Sequence, residues 1–265
     1  MEIDGIKIAD GVIKRLEKEN APRKILAAIL VGNDPQSASF LRQKKQTAER
    51  LGVDFRIYKL SPELKNDGLR REVSKISRQS RVGGAIVQLP LPKDVNRRYV
   101  LNSVPREKDV DVLSERSTGP LFQPAVETTK EILELEKLDL SRSVVVVVGA
   151  GVLVGKPIAK WLKDKCKELH VIDSKSDPSK IKEADLVISG VGKPGLIDPN
   201  NLKEGAAVID FGYANDGGVL VGDLKMNAKA LKRLKFYTPT PGGTGPILVA
   251  KLFENFYKLC ERQQQ

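Results

Sequence analysis

The stretch Val144–Pro157, VVVVVGAGVLVGKP, decides how this chain is read. Five valines run straight into a loop that carries Gly149, Gly151 and Gly155. A strand built only from β-branched residues suits a position covered on both faces, as in a doubly wound parallel sheet. The loop has the spacing GxGxxxG. Glycines there let the backbone approach a pyrophosphate, and the helix that follows offers unpaired N–H groups at the positive end of its dipole. Gly155 comes one residue later than in the usual GxGxxG, so a tight strand-to-helix turn with no ligand also fits. Asp173 weighs on the choice. It closes the next run, ELHVID, about twenty residues further on, where a dinucleotide fold places the acid that binds the adenosine ribose hydroxyls. An ordinary strand-end turn aspartate is the alternative. Loop and acid together favour a nicotinamide dinucleotide site.

Upstream of this stretch, strand-like and helix-like segments alternate. Ile25 to Val31 is a short apolar run ending at Gly32, and Gln36 to Leu51 is a helical mixture ending at Gly52. VDFRIYKL alternates as a strand does, Glu63 to Ser80 reads as a helix, and Gly83 to Leu89 reads as a buried strand stopped by Pro90 and Pro92. This order predicts a mostly parallel sheet covered by helices. A second series follows a changeover near residues 114 to 124. It has strands at Val144–Val148, at ELHVID, at Leu186–Ser189 and at Ala207–Asp210, a helix over Gly155–Cys166, and a terminal helix over Pro246–Glu261. GVGKPG, NDGG and TPTPGGTGP mark turns. The fold class is therefore α/β, with the second series a Rossmann-like doubly wound sheet.

The chain has 265 residues, enough for two ordinary domains, and its 40% hydrophobic and 30% charged residues point to a globular rather than a disordered protein. No apolar run is long enough to span a bilayer, and the N-terminus lacks the basic start and apolar core of a signal peptide. With two distant cysteines, Cys166 and Cys260, and one histidine, no metal site is expected, and a reducing cytoplasm is the simple reading. The net charge of +11 admits nucleic acid, small anionic ligands or a solvated basic surface. The basic residues lie along helical faces, often beside Glu, and aromatics make up only 5%, so nucleic acid is not the expected partner.

Further motifs agree on one family. DGIKIADGVIKRL, VGNDPQSASFLRQKK, VQLPLP, KDVD, VGKP, VGKPGLI, VIDFG, VGD and TPTPGGTGPI occur in this order along nearly the whole chain. In them the sequence resembles the bifunctional methylenetetrahydrofolate dehydrogenase/methenyltetrahydrofolate cyclohydrolase family. The resemblance implies oxidation of 5,10-methylenetetrahydrofolate by NAD(P) and hydrolysis of the methenyl product to 10-formyltetrahydrofolate, with no metal. It implies a folate-binding catalytic domain of residues 1–122 plus 242–265 and a dinucleotide-binding domain of residues 123–241, with a cleft between them, in a homodimer. Lys44 matches the catalytic lysine. Gln88 matches the glutamine that orients it, Asp111 the aspartate that hydrogen-bonds the pterin, and Ser37 a serine that positions substrate or lysine. Gly242 and Gly243 would form a loop over the folate. The cofactor-binding set is Gly149, Ala150, Gly151, Gly155, Asp173, Ser174, Val191 and Gly192.

Several positions depart from the family pattern. Phe40 stands where the family has tyrosine, which keeps an aromatic face for the pterin and loses a hydroxyl. PAVETT, Pro124 to Thr129, replaces PCTPxG between the domains. Ala150-Gly151 replaces Arg-Ser, Asp173 replaces histidine, and Leu248 replaces threonine. Loss of donors at 150 and 151, with an acid at 173, makes NAD the expected cofactor over NADP. Lys156, Ser174, Lys175 and Ser176 are the nearby groups that oppose this expectation. A turnover-impaired folate- or nucleotide-binding homologue with a regulatory role is the alternative function.

Overall fold

The structure is a computed structural model, and it describes residues 1–115, 120–173, 176 and 178–263. In chain order the elements are α1 (Gly5–Leu16), β1 (Ile25–Val31), α2 (Pro35–Leu51), β2 (Phe55–Leu60), α3 (Asn66–Ser77), β3 (Val82–Val87), α4 (Arg97–Leu101), α5 (Pro124–Leu135), β4 (Val144–Val148), α6 (Gly155–Leu162), β5 (Glu168–Ile172), β6 (Leu186–Ser189), β7 (Ala207–Asp210), β8 (Ala214–Asp216), β9 (Val219–Val221), α7 (Ala228–Leu231), β10 (Phe236–Tyr237) and α8 (Thr244–Arg262). Contacts divide the chain into two compact units. The first is Asp10–Pro124 with Val249–Gln265, and the second is Met1–Ala9 with Ala125–Leu248.

The first unit is built on a three-stranded parallel sheet in the order β2-β1-β3. Every residue of β1, ILAAILV, is buried, because both of its faces are covered. Ile25, Ala27, Ile29 and Val31 pack with Leu69, Val73 and Ile76 of α3, while Ala28 and Leu30 pack with Leu41 of α2. A two-sided strand of this kind reads as an unbroken apolar run. Helix α2 starts where the Asp34 carboxylate accepts the Ser37 N–H at 2.7 Å, with Pro35 in the first turn. It stops at Gly52, which takes the left-handed conformation at φ 65°. In β3, a Cβ added at Gly84 would press on Val110 Cγ2 at 2.6 Å and Phe256 at 2.7 Å. Glycine there lets α8 and the 109–112 segment close against the strand.

The second unit carries a five-stranded parallel sheet in the order β10-β7-β6-β4-β5. From β4 the chain goes to β5 on one side and then crosses back to β6 on the other. The winding therefore reverses at β4, and the carboxyl ends of β4 and β6 form a topological switch point, where open α/β sheets bind ligands. Val145, Val146 and Val147 are completely buried, as the all-valine run requires. The N-terminus extends this unit: the Ile3 N–H donates to Tyr237 O at 2.8 Å, and Tyr237 N–H to Met1 O at 3.0 Å.

The crossovers into β6 and β7 contain the 3-10 turns Pro178–Glu183 and Pro199–Asn201. Two features differ from the sequence expectation. Helix α6 ends at Leu162, short of Cys166, because the charged run Lys163–Lys167 has no apolar face to bury and Asp164 turns left-handed at φ 64°. PAVETT is the first part of α5, which opens on Pro124 and buries Thr128 and Thr129 completely.

Candidate active site

Helix α2 presents Ser37, Phe40 and Lys44 at spacings of three and four, which places them along one side. Beside it, Gln88 continues from the end of β3, its N–H donating to Ile29 O at 2.9 Å. Lys44 Nζ donates to Gln88 Oε1 at 3.0 Å. The other end of the amide is tied down, since Gln88 Nε2 donates to Leu89 O at 2.8 Å. This fixes which end of Gln88 faces the lysine, and only the carbonyl end can accept from an ammonium. The buried Ser37 hydroxyl also donates to Leu89 O, at 3.3 Å, so it braces the same peptide rather than the lysine.

Asp111 lies on the segment that follows the bridge between Ala85 and Asp109. That segment is held from α8, where Asn255 Nδ2 donates to Val110 O at 3.1 Å. Immediately after Asp111, Val112 sits at φ 54°, a left-handed conformation that a β-branched side chain disfavours. Burial pushes the Asp111 carboxyl up to about 6; Lys44 draws it back down and Asp109 adds to the rise. Burial also lowers the Lys44 ammonium below the usual lysine range, against the pull of Asp111. The result is a carboxylate still mostly ionised at neutral pH beside an amine that gives up its proton more readily than a free lysine. Phe40 is half-buried on the same helix.

The glycine loop after β4 belongs to the second unit. Gly149 has φ 88°, and its N–H donates to Ile172 O at 2.7 Å. A Cβ at Gly155 would overlap the Gly149 carbonyl, so that glycine lets α6 pack into the turn. Gly151 is different. It is exposed, and a Cβ there would touch only Gly190 O at 4.0 Å, so the chain's own packing does not demand glycine. Ala150 is exposed beside it. No side-chain hydrogen bond caps α6 at Val154. Asp173 is exposed past the end of β5, and its Oδ1 accepts from Ser176 Oγ at 2.8 Å. Ser174 and Lys175 lie outside the described residues.

Val191 and Gly192 follow β6 at the switch point. Val191 Cγ2 stands 2.9 Å from where a Gly149 Cβ would be, so this loop and the glycine loop adjoin. Gly242 has φ 93°, and a Cβ at the buried Gly243 would run into Pro239 O, which makes both glycines conformationally required in the turn before α8. Lys44, Gln88 and Asp111 are thus gathered in the first unit, and the glycine loop, Asp173 and the 191–192 loop in the second. Asp109 in KDVD, Asp210 in VIDFG and Asp223 in VGD are buried acids that no local pattern sets apart from ordinary turn residues.

Comparison with known proteins bears on this arrangement. Residues 3–111 match the catalytic domain of tetrahydrofolate dehydrogenase/cyclohydrolase, and residues 124–264 match its NAD(P)-binding domain. The chain belongs to the tetrahydrofolate dehydrogenase/cyclohydrolase family. A family relative, the bifunctional protein FolD of Macrococcus caseolyticus, is 33% identical over 279 aligned residues, covering 99% of this chain and 98% of the relative. Among solved structures, the bifunctional FolD methylenetetrahydrofolate dehydrogenase/cyclohydrolase of Campylobacter jejuni superposes with a TM-score of 0.92 at 26% identity, covering 99% of each chain. The Trypanosoma brucei enzyme, complexed with NADP cofactor and inhibitor, gives 0.92 at 28% identity and covers 100% of this chain and 98% of its own. As a tetrahydrofolate dehydrogenase/cyclohydrolase family member, the chain has a catalytic and an NAD(P)-binding part in one α/β architecture. No described helix is long and apolar enough to cross a membrane.

Proposed function

We propose that the protein oxidises 5,10-methylenetetrahydrofolate to 5,10-methenyltetrahydrofolate with NAD(P) as hydride acceptor, and then hydrolyses the product to 10-formyltetrahydrofolate. One observation carries the catalytic assignment: Lys44 Nζ is held at 3.0 Å by a Gln88 amide whose other end is already engaged, within the influence of the Asp111 carboxylate. The lowered Lys44 gives a larger neutral fraction, which takes the proton from the water that adds to the methenyl carbon. Gln88 keeps Nζ in place for that step. Asp111, charged at neutral pH, accepts hydrogen bonds from the pterin ring, and the Phe40 ring packs on the pterin face. Ser37 braces the Leu89 peptide and so keeps Gln88 in register.

The residues of the second unit fit a dinucleotide. Glycine at 151 leaves space that no described part of the chain fills, and the uncapped start of α6 suits an anion. Gly149, Ala150, Gly151 and Gly155 would hold the pyrophosphate, Asp173 the adenosine ribose, and Val191 and Gly192 the far end. When bound, the nicotinamide supplies hydride acceptance. The cofactor is NAD in preference to NADP: Ala150 and Gly151 offer a 2′-phosphate no side-chain donor, and the exposed Asp173 carboxylate repels one. The basic excess suits the anionic folate and dinucleotide. The protein works in the cytoplasm as a homodimer joined through its dinucleotide-binding part.

The test is absorbance at equilibrium and in time courses. Purified protein is given methylenetetrahydrofolate with NAD or NADP in parallel, and methenyltetrahydrofolate separately. Reduced nicotinamide should appear, faster with NAD, and methenyltetrahydrofolate should be lost. No turnover of either folate by the native protein refutes the assignment.

A further inference from the structure

Two carboxylates in the second unit are almost wholly buried, Asp210 at 1% and Asp223 at 0% exposure, and the chemistry above uses neither. Burying a carboxylate is expensive unless its oxygens are supplied with donors. The donors of Asp223 identify its task. Its Oδ2 accepts from the Ser189 hydroxyl at 2.6 Å and from the Val191 N–H at 2.8 Å, and its Oδ1 accepts from the Lys193 N–H at 2.7 Å. These two N–H groups flank Gly192, which bends the chain at φ 76°. One carboxylate thus grips the loop after β6 on both sides of its bend. That loop adjoins the glycine loop at the switch point.

Asp210 clamps a second pair of strands' ends in the same manner, accepting from Gly212 N–H at 2.6 Å and Leu224 N–H at 2.8 Å. The two acids interlock. A Cβ at Gly212 would run into the Asp223 carboxylate, and a Cβ at Gly222 would run into Asp210 Oδ2. Each acid therefore packs on the glycine next to or near the other, and Asp223 has no room to settle elsewhere.

We propose that Asp223 is a positioning residue for the dehydrogenase reaction: it shapes the Val191–Gly192–Lys193 loop into the surface that receives the dinucleotide. This rests on the dehydrogenase reading given above. The effect is specific to one half-reaction, because hydrolysis of methenyltetrahydrofolate uses no dinucleotide.

Asp223→Asn tests it. An amide can present one acceptor and one donor edge, so it faces either Lys193 N–H or the Val191 and Ser189 donors with a hydrogen of its own. In the whole protein, KM for NAD should rise roughly 10- to 100-fold, as expected for loss of a hydrogen bond to a charged group. The rate at saturating NAD and the KM for methylenetetrahydrofolate should change less than about threefold, and methenyltetrahydrofolate hydrolysis should persist. Ser189→Ala removes one donor and leaves the two backbone bonds. It should raise KM for NAD in the same direction by a smaller factor, and it serves if Asp223→Asn does not fold. An unchanged KM for NAD in both variants overturns the proposal, as does a parallel fall in dehydrogenase and hydrolysis rates. Absence of both activities in the native protein would instead refute the functional reading itself.

Discussion

Replacing Asp111 by Asn should make the folded protein more stable at neutral pH while impairing its activity. The carboxyl is shifted from 3.8 to about 6, chiefly by burial. Roughly two pKa units at about 1.4 kcal/mol each amount to about 3 kcal/mol, and partial exposure reduces this to around 2 kcal/mol. The sign follows from proton binding. Between about pH 4 and pH 6 the folded state holds the Asp111 proton and the unfolded chain does not, so stability is lost as pH rises through that window. Asn cannot ionise, so that loss disappears. The stability difference, variant minus native, should therefore grow by about 2 kcal/mol from roughly pH 4 to pH 7. The attraction of Lys44 is already contained in the net shift, so it does not change this difference. Urea unfolding followed by far-ultraviolet circular dichroism measures it. Trp161 belongs to the second unit, so its fluorescence would not follow the unit that holds Asp111. A difference that stays flat with pH would show that Asp111 is not buried at the cost assigned to it. In the same variant, turnover should fall, because the charge beside Lys44 and the proposed acceptor for the pterin are weakened together.

Other substitutions give equally direct readings. Phe40→Tyr restores a hydroxyl worth about 1.5–3 kcal/mol beside a reacting group, and methenyltetrahydrofolate hydrolysis should speed up roughly 10- to 100-fold; an unaltered rate would mean that the missing hydroxyl is not limiting. Asp173→Ser should raise the efficiency with NADP relative to NAD severalfold, since like charges at about 4 Å cost up to about 4 kcal/mol before screening. A native preference for NADP that survives the substitution would reduce Asp173 to a turn residue. Val112→Gly relieves a β-branched residue at φ 54° and should stabilise the fold by about 1 kcal/mol in urea unfolding. Destabilisation would show that the valine side chain contributes more by packing than its backbone costs.

Local pattern was enough for the parts of this protein in which one strand or loop answers to one local constraint. β1, β4, β6 and β7 carry the limits read from sequence, because buried strands of a parallel sheet are continuous apolar runs bounded by turn residues. The glycine loop was legible for a similar reason: Gly155 has no space for a side chain, and a helix must begin there. That Lys44 would meet Gln88 was expected through resemblance, not chemistry, for nothing local separates Lys44 from the other basic residues of the chain. Only the folded chain decides that its ammonium loses water and meets Gln88, because α2 and the end of β3 are far apart in sequence and adjacent in space. The same holds for Asp111, whose raised pKa depends on burial. α6 stops early because tertiary burial, not propensity, sustains a helix end. Asp210 and Asp223 show the limit most sharply. In sequence each is an acid near the end of an apolar run; in space each is enclosed, Asp223 supplied with the N–H groups of Val191 and Lys193 and Asp210 with that of Leu224 besides its own neighbour Gly212, and no local pattern encodes which remote N–H groups will converge on a carboxylate.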